Sequence, residues 1–293
     1  MSRLLIVDGH AYAYRAFYAI RDLRSPSGTA TNAVYGFLKM LEKMRLAVEP
    51  THLMVVWDGG LSAERTAALP DYKAQRPPMP DDLRPQFDEI GSYLDAAGIA
   101  QYCGEGVEAD DYIGTLAKFA AEAGWNVVVA SSDKDFMQLV SARIGLLNPN
   151  DKSGKIWSRE EVVAKAGVEP EQIVDWLALM GDAVDNIPGV PGVGLKTAAG
   201  LLAEFGTVEN LLVRVETVKS VKLKTSIVAN AENVRRNLGL VRLQSVPCEF
   251  RPESLVVRQQ DAEKLRGLFQ RWGFRGMLAE LDAQSPERQA DLI

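Results

Sequence analysis

Short apolar runs that lead into an aspartate are the feature that most constrains the fold of this chain. The runs, rich in Val, Leu and Ile and of the length of buried strands, lie at residues 4–7, 53–57 and 127–130. The aspartates beyond them are Asp8, Asp58 and Asp133. Helical patterns fall between the runs, at residues 33–45, 85–97 and 110–123, and a weaker strand is predicted at 144–147. This alternation predicts an α/β fold with a mostly parallel sheet and helices on both faces.

The strand signal disappears after about residue 157. Helical patterns then follow at residues 159–166, 172–180, 196–205, 207–213, 226–240 and 262–281. We therefore predict an α/β core at residues 1–158, a helical region at 159–282 and a polar tail at 283–293. The connection at about 62–84 carries basic residues and prolines and is unusually long.

Composition excludes several classes of protein. The chain is 47% hydrophobic and 25% charged, as globular proteins are. No apolar run approaches the ~20 residues of a membrane span, and the apolar N-terminal run is too short for a signal peptide. Two cysteines and two histidines give no disulfide framework, zinc site or histidine triad. We expect a cytoplasmic protein with no membrane partner. A net charge of −6 does not suggest a nucleic-acid binder, so the function has to be inferred from where the acids lie in the chain.

Nine acidic residues are expected to converge, because ligands bind beyond the carboxyl ends of parallel strands. They are Asp8, Asp58, Glu108, Asp110, Asp111, Asp133, Asp135, Asp182 and Asp185. Two like charges 4 Å apart repel by about 4 kcal/mol at an effective dielectric constant of 20, so the group needs cations. Oxygen ligands alone suit Mg²⁺, Mn²⁺ or Ca²⁺. The number of acids favours two ions, a pair that activates water for phosphoryl displacement.

The local geometry of three pairs of acids can also be predicted. Asp182 and Asp185 are spaced to lie on one side of a helical turn. Asp133 and Asp135 point the same way if the chain there is extended. Glu108 could converge with Asp110 only if it precedes the first turn of its helix.

The glycine-rich segment at residues 189–197 is close to a P-loop, but Leu195 separates the last glycine from Lys196 and no good strand precedes the segment. A tight hairpin between two helices fits better. Its glycines would let phosphate approach the backbone at the start of a helix. A plain structural turn is the alternative. Lys222 and its neighbouring lysines could contact phosphates or simply be solvated.

The ordered set of motifs resembles one known family. The motifs are Val-Asp-Gly-His at residues 7–10, Tyr-Arg-Ala-Phe at 14–17, Trp-Asp at 57–58, Tyr-Lys-Ala-Gln-Arg at 72–76, Glu-Ala-Asp-Asp at 108–111, Ser-Asp-Lys-Asp at 132–135, and Gly-Asp at 181–182 with Asp-Asn-Ile-Pro-Gly-Val at 185–190. Together they resemble the 5′ nuclease domain of bacterial DNA polymerase I and the flap endonucleases, over residues 3–282. Each motif is weak alone, and their order makes the match specific. The resemblance implies a stand-alone 5′–3′ exonuclease or an excised nuclease domain, without the polymerase and proofreading domains.

The resemblance implies roles for the acids and for the connecting segment. Asp8, Asp58, Glu108 and Asp110 would serve a first Mg²⁺ or Mn²⁺, with Asp111 close by. The acids of the second ion would be Asp133, Asp135, Asp182 and Asp185. Residues 62–84 would form a helical arch for the 5′ strand, although the prolines after Arg76 disfavour continuous helix there. Lys73 and Arg76 would stabilise charge on the scissile phosphate. Tyr72 would stack on a base or simply pack.

The resemblance also implies DNA contacts outside the acid cluster. Residues 176–205 would form a helix–hairpin–helix that grips duplex DNA. Its expected contacts, together with two outlying basic residues, are Arg15, Gly192, Gly194, Lys196, Thr197 and Lys222. A K⁺ ion held by backbone carbonyls is a further expectation, with Leu179, Met180, Pro188, Val190 and Val193 as candidates.

The function implied is structure-specific hydrolysis at DNA 5′ ends and 5′ flaps by two-metal catalysis, with RNA–DNA hybrids as further substrates and a monomer as the family's usual state. Two alternatives remain. One is a protein that binds branched DNA without cutting it. The other is a PIN-type ribonuclease, which has no place for the hairpin or the arch.

Overall fold

The computed structural model describes residues 2–283, which form two compact units. The first takes the described residues up to Trp57, Met79–Tyr102 and those from Arg251 onward. The second comprises Asp58–Pro78 and Cys103–Phe250. Residues 284–293, most of the predicted polar tail, lie outside the described part of the chain. The predicted boundary after residue 158 and the predicted arch stay predictions.

Residues 2–283 contain eight strands and thirteen α-helices. In chain order the strands are β1 (Arg3–Asp8), β2 (His52–Trp57), β3 (Ala100–Cys103), β4 (Asn126–Ala130), β5 (Ile144–Leu147), β6 (Ile156–Trp157), β7 (Gly181–Asp182) and β8 (Ile187–Pro188). The helices are α1 (Gly9–Ala19), α2 (Asn32–Val48), α3 (Ala63–Ala68), α4 (Arg84–Ala96), α5 (Ala109–Glu122), α6 (Arg159–Ala166), α7 (Ile173–Met180), α8 (Leu195–Phe205), α9 (Val208–Val213), α10 (Val221–Ala229), α11 (Ala231–Val241), α12 (Ala262–Trp272) and α13 (Arg275–Ala283). Short 3₁₀ turns lie at Lys134–Leu139, Pro170–Gln172, Val215–Thr217 and Pro252–Leu255.

The first unit is built on parallel strands. Its strand order is β3-β2-β1, and β1 runs parallel to β2 with Leu4 opposite His52 and Val7 opposite Val55. Leu4, Leu5, Ile6 and Val7 are fully buried. A strand buried on both faces explains why the run is continuously apolar instead of alternating. Helices α1, α2, α4, α12 and α13 belong to the same unit.

The second unit combines further strands with most of the helices. Here β4 is parallel to β5, and the short β6 is antiparallel to β5. The helical part packs α11 against α7 through the fully buried Asn237. Its Nδ2 donates to the carbonyls of Ala178 (3.1 Å) and Pro188 (2.8 Å). One amide thus joins α11 to α7 and to the short ribbon β7–β8.

The predicted fold class is confirmed: the strands are mostly parallel and flanked by helices, and helices dominate after residue 158. Outside the predicted arch, five helices and strands of the described residues were not predicted, namely α1, β3, β6, β7 and β8. Two predicted helices are each broken in two, at Asn230 and at Gly273, whose φ of +76° ends α12. No helix among residues 2–283 has the length and apolarity needed to cross a membrane.

Helix α2 takes its N-terminal cap from another helix. Its own N-cap residue, Thr31, makes no side-chain capping bond. The buried Gln86 of α4 fills this role, since its Oε1 accepts from the backbone N–H groups of Ala33 (2.8 Å) and Val34 (3.1 Å). Its Nε2 donates to Asn32 Oδ1 (3.0 Å). First-turn N–H groups have no partner within their own helix, so this side chain satisfies donors that burial would otherwise make costly.

We expect Gln86→Met to lower the free energy of unfolding by about 2–4 kcal/mol, because it leaves at least two buried donors without acceptors. Guanidinium unfolding monitored by circular dichroism measures this. The matched control is Gln270→Met on the exposed side of α12, which should change stability by no more than about 0.5 kcal/mol. Equal effects of the two substitutions would contradict the capping role.

Candidate metal centre

Eight of the nine predicted acids belong to the second unit. Asp58 follows β2, and Glu108 is the N-cap residue of α5, whose first turn contains Asp110 and Asp111. Asp133 caps the 3₁₀ turn that contains Asp135. Asp182 ends β7, and Asp185 lies in the turn between β7 and β8. Asp8 belongs to the first unit, where it caps α1 by accepting from Ala11 N–H at 3.0 Å. Its predicted convergence with the other acids stays a prediction.

The prediction that Asp182 and Asp185 share a helical turn is wrong. Helix α7 ends at Gly181, whose φ is +75°, and the chain continues as the antiparallel ribbon β7–β8. Asp182 Oδ1 accepts from Val184 N–H at 2.9 Å and so shapes the turn. An added Cβ at Gly181 would lie 2.3 Å from Ile187 O, so the close approach of the ribbon requires glycine there. Both aspartates are nevertheless buried.

The Asp133–Asp135 segment is only partly extended. Asp133 has extended backbone angles, but Asp135 already lies in a 3₁₀ turn and donates its N–H to Asp133 Oδ1 at 2.9 Å. Burial raises the pKa of Asp135 well above its usual value, and the charges of Asp133, Asp110 and Asp182 raise it further. Burial likewise raises the pKa of Asp133. The Oδ1 atom of Asp135 is buried and has no hydrogen-bond partner among residues 2–283.

Glu108 precedes the first turn of α5, with φ −69° and ψ 137°, so the condition for its convergence with Asp110 is met. Its carboxylate is 2% exposed and surrounded by donors. Oε1 accepts from Ser62 N–H at 3.0 Å, and Oε2 accepts from Tyr72 Oη at 3.1 Å and from Lys73 Nζ. Burial alone would raise the pKa of Glu108, but Lys73 and Arg65 hold it below its usual value.

Lys73 and Arg76 lie directly against these acids. Lys73 is buried in the left-handed region (φ +57°), and its N–H donates to Asp185 O at 3.0 Å. Its Nζ contacts Glu108 and lies 4.0 Å from Asp185 Oδ2. Arg76 Nη2 pairs with Asp185 Oδ1 at 2.8 Å. Burial would lower the pKa of Lys73, but the charges of Asp110, Asp185 and Glu108 raise it above its usual value, so Lys73 remains cationic.

Two further ion pairs lie within the cluster of acids. Lys134 Nζ lies 3.0 Å from Asp182 Oδ2. Asp111 forms a two-point pair with Arg65, at 2.6 and 2.7 Å, and also accepts from Gln244 N–H. Sequence reasoning assigned no role to Arg65. Its partners lie 46 and 175 positions away, and no local pattern indicates them.

The residues predicted to bind DNA occupy different environments. Tyr72 is buried, with Lys73 Nζ 4.9 Å from its ring centroid, as expected of the packing alternative. Arg15 on α1, Lys196 on α8 and Lys222 on α10 are exposed, and Thr197 is half-buried. The DNA roles of these residues stay predictions.

The predicted hairpin runs from α7 through β7–β8 and residues 189–194 into α8. Gly192 has φ +86°, and a Cβ added there or at Gly194 would stand in open space. Gly194 is the N-cap residue of α8. Of the predicted K⁺ ligands, Leu179 O already accepts from Val190 N–H (2.8 Å), Val190 O from Val193 N–H (3.0 Å) and Pro188 O from Asn237. Each of these carbonyls retains a second lone pair.

The carboxylates fit hard divalent cations in their chemistry. All of the side-chain atoms that could bind a metal here are oxygens, and one buried oxygen atom of Asp135 has no hydrogen-bond partner in the described part of the chain. As the side chains stand, no three His, Cys, Asp or Glu residues in the described range are arranged to hold an ion. Lys73, Arg76 and Lys134 pair with three of the candidate acids instead.

Comparison with known proteins shows the family. Residues 3–167 match the model for the 5′-3′ exonuclease N-terminal resolvase-like domain, and residues 168–263 match the 5′-3′ exonuclease C-terminal SAM fold. A 5′-3′ exonuclease of Aquifex aeolicus is 39% identical over 284 residues, covering 96% of each chain. DNA polymerase I of Bacillus caldotenax is 40% identical over 99% of this chain, which spans 33% of that relative's length. The chain belongs to the 5′-3′ exonuclease family, a family of nucleases.

Solved structures agree with this assignment. A bacteriophage T5 5′-exonuclease with bound divalent metal ions (zinc) aligns with a TM-score of 0.68 at 26% identity, covering 82% of this chain and 89% of that one. The catalytic core of Rad2 in complex with DNA substrate aligns with a TM-score of 0.65 at 17% identity, covering 92% and 86%. The Rad2 similarity bears on the fold alone.

The raised pKa of Asp135 predicts how stability depends on pH without divalent ions. The folded carboxyl holds its proton at higher pH than the unfolded one, so stability falls as pH rises above about 4. We expect Asp135→Asn in EDTA at pH 8 to be more stable than the parent by about 1–3 kcal/mol, with a weaker pH dependence. Urea unfolding from pH 4 to 8 measures this. The exposed control Asp88→Asn should follow the parent. A destabilised Asp135→Asn at pH 8 would refute the prediction.

Proposed function

We propose that this chain is a structure-specific 5′ nuclease that hydrolyses DNA phosphodiester bonds at 5′ ends and 5′ flaps. The observation that carries the proposal is the group of buried and half-buried carboxylates around Asp135, whose Oδ1 lacks a partner among residues 2–283. Membership of the 5′-3′ exonuclease family supports it. So do the metal ions in the T5 structure.

The carboxylates would hold two ions, Mg²⁺ or Mn²⁺. Asp58, Glu108 and Asp110 would serve the first, and the family resemblance adds Asp8 to this set. The second would be held by Asp133, Asp135, Asp182 and Asp185. Bound ions of this kind supply an activated water and stabilise the charge that develops in phosphodiester hydrolysis. Asp111 has both oxygens engaged by Arg65, so we assign it a supporting role beside the first ion.

Lys73 and Arg76 would act on the scissile phosphate. Both are held beside the carboxylates, where they now pair with Glu108 and Asp185. Divalent cations on these acids would release the two side chains toward the substrate. A cation held in a poorly solvated site stabilises negative charge on a transferring phosphoryl group more strongly than one in water. This role requires Lys73 and Arg76 to lie together, and the hydrogen bond from Arg76 N–H to Lys73 O (3.1 Å) supports it.

The hairpin would grip the duplex backbone. Gly192 and Gly194 leave the backbone uncovered, and the N-terminus of α8 presents N–H groups beside Lys196 and Thr197. Lys222 and Arg15 would add phosphate contacts outside the hairpin. These are contacts to phosphate and not to base edges, so they select a DNA structure and not a sequence. K⁺ held by the carbonyls of residues 179–193 would stiffen the hairpin.

The proposed function also includes a substrate range and an oligomeric state. RNA annealed to DNA would be a substrate as well, since no contact proposed here distinguishes the sugars. We also propose that the protein acts in the cytoplasm as a monomer.

A flap assay tests the function. A duplex with a labelled 5′ flap should be cut near the junction in Mg²⁺ and left intact in EDTA. Asp110→Asn should lower the rate at least 100-fold, because it removes a charged ligand from the first ion, whereas the exposed Asp88→Asn should not change it. Single-turnover rates measure both effects.

The alternatives predict other results in the same assay. Tight, salt-dependent binding of the flap without cleavage in Mg²⁺ or Mn²⁺ would mean that the chain is a branched-DNA-binding protein. Cleavage of single-stranded RNA in preference to the flap would favour a PIN-type ribonuclease.

The hairpin contacts can be tested separately by salt dependence. Lys196→Met should weaken binding of flap DNA in EDTA and lower the slope of log affinity against log salt by about 0.9, the value for one lost phosphate contact. Lys165→Met, at an exposed position on α6, is the matched control and should leave the slope unchanged. Fluorescence anisotropy from 50 to 300 mM KCl gives the slopes. Identical slopes for the two variants would remove Lys196 from the interface.

A further inference from the structure

Arg65 is a buried cation to which neither the sequence nor the proposed mechanism assigns a role. It lies on the short helix α3 and is 4% exposed. Its guanidinium group is fully engaged. Nη1 and Nη2 pair with the two oxygens of Asp111, Nε donates to Leu240 O at 2.9 Å, and Nη2 also donates to Arg242 O at 3.0 Å.

These contacts join three separate parts of the second unit. Asp111 is in the first turn of α5, and Leu240 and Arg242 lie at the C-terminal end of α11. The Asp111 carboxylate also accepts from Gln244 N–H at 2.7 Å, which holds the chain beyond α11 against α5. A planar guanidinium can make these bonds simultaneously, and a lysine ammonium cannot reproduce their geometry.

Arg65 also reaches the carboxylate of Glu108. Its Nη1 lies 3.3 Å from Glu108 Oε1, the oxygen that accepts from Ser62 N–H. Ser62 is in turn the N-cap residue of α3, so helix and arginine hold the same oxygen atom. The other oxygen, Oε2, faces Tyr72 and Lys73. Arg65 and the Ser62 N–H group therefore hold one side of the Glu108 carboxylate and leave its other oxygen facing Lys73.

We propose that Arg65 is a positioning residue that orients Glu108 for divalent-cation binding and anchors the 58–78 segment to the end of α11. The inference rests on the proposed function, because it concerns the orientation of a ligand in the same site. It adds a residue that touches neither cation nor substrate. Groups that orient metal ligands typically change metal affinity by about 10–100-fold when they are altered.

The test compares Arg65→Lys with Arg159→Lys. Arg159 makes a similar two-point pair with Glu171, but on the surface. Mn²⁺ binding without DNA is measured by electron paramagnetic resonance, flap affinity by anisotropy in EDTA, and folding by thermal melting. We expect Arg65→Lys to weaken Mn²⁺ binding about 10–100-fold while flap affinity in EDTA stays within twofold. Cleavage should need correspondingly more Mg²⁺ and recover when Mg²⁺ saturates. Arg159→Lys should match the parent.

Asp111→Asn is the second variant, in case Arg65→Lys does not fold. It keeps the volume of the side chain but removes the charge that holds Arg65, and it should weaken Mn²⁺ binding in the same direction. A folded variant with Mn²⁺ affinity within twofold of the parent, even if less thermally stable, would limit Arg65 to a structural role and overturn the proposal. A parent protein that neither binds Mn²⁺ nor cuts the flap would instead refute the proposed function.

Discussion

The candidate site depends on the hydrogen bonds and ion pairs that surround the buried carboxylate of Glu108. An ionised carboxylate that is 2% exposed is stable only when donors replace its water. Here the donors come from the 58–78 segment: a backbone N–H, a phenol, an ammonium and a guanidinium. The need to satisfy one charge thus folds this segment onto the start of α5. The same contacts bring the two cations proposed to act on phosphate beside the acids proposed to hold metal.

Much of the fold was predictable from the sequence, because the composition of the strands indicates how deeply they are buried. Continuous apolar runs indicated strands buried on both faces, and the acids beyond them indicated a binding edge. The elements that were missed lack such a signal. Residues 100–103 of β3 are only half-buried or exposed and mix polar with apolar side chains. Arg65 is a different case, since its contacts are with partners far away in sequence, and a single sequence gives no sign of such pairs.

The turn at Asp182 and Asp185 shows why the spacing of these two acids led to the wrong prediction of a helical turn. A separation of three residues fits one face of a helix, and the preceding residues are helical. Gly181 ends that helix because the ribbon needs a backbone approach that no Cβ would allow. Both acids nevertheless lie near Asp133 and Asp135, whose pKa values their charges raise, because a tight turn also brings residues three apart together. The spacing of Asp182 and Asp185 thus indicated that they share a turn, but it did not indicate the conformation of that turn.

The acidic composition of a chain that we propose to bind DNA has a physical explanation in the same site. Acidic residues exceed basic ones by six, and nine acids are candidates for the site or its support. Asp8, Glu108, Asp111, Asp182 and Asp185 are each at most 8% exposed. Charges that are buried beside internal cations contribute little to the field that a DNA backbone meets at the surface. Lys196, Lys222 and Arg15, in contrast, are exposed. Net charge alone is thus a poor guide to nucleic-acid binding in a chain whose acids are buried in the proposed site.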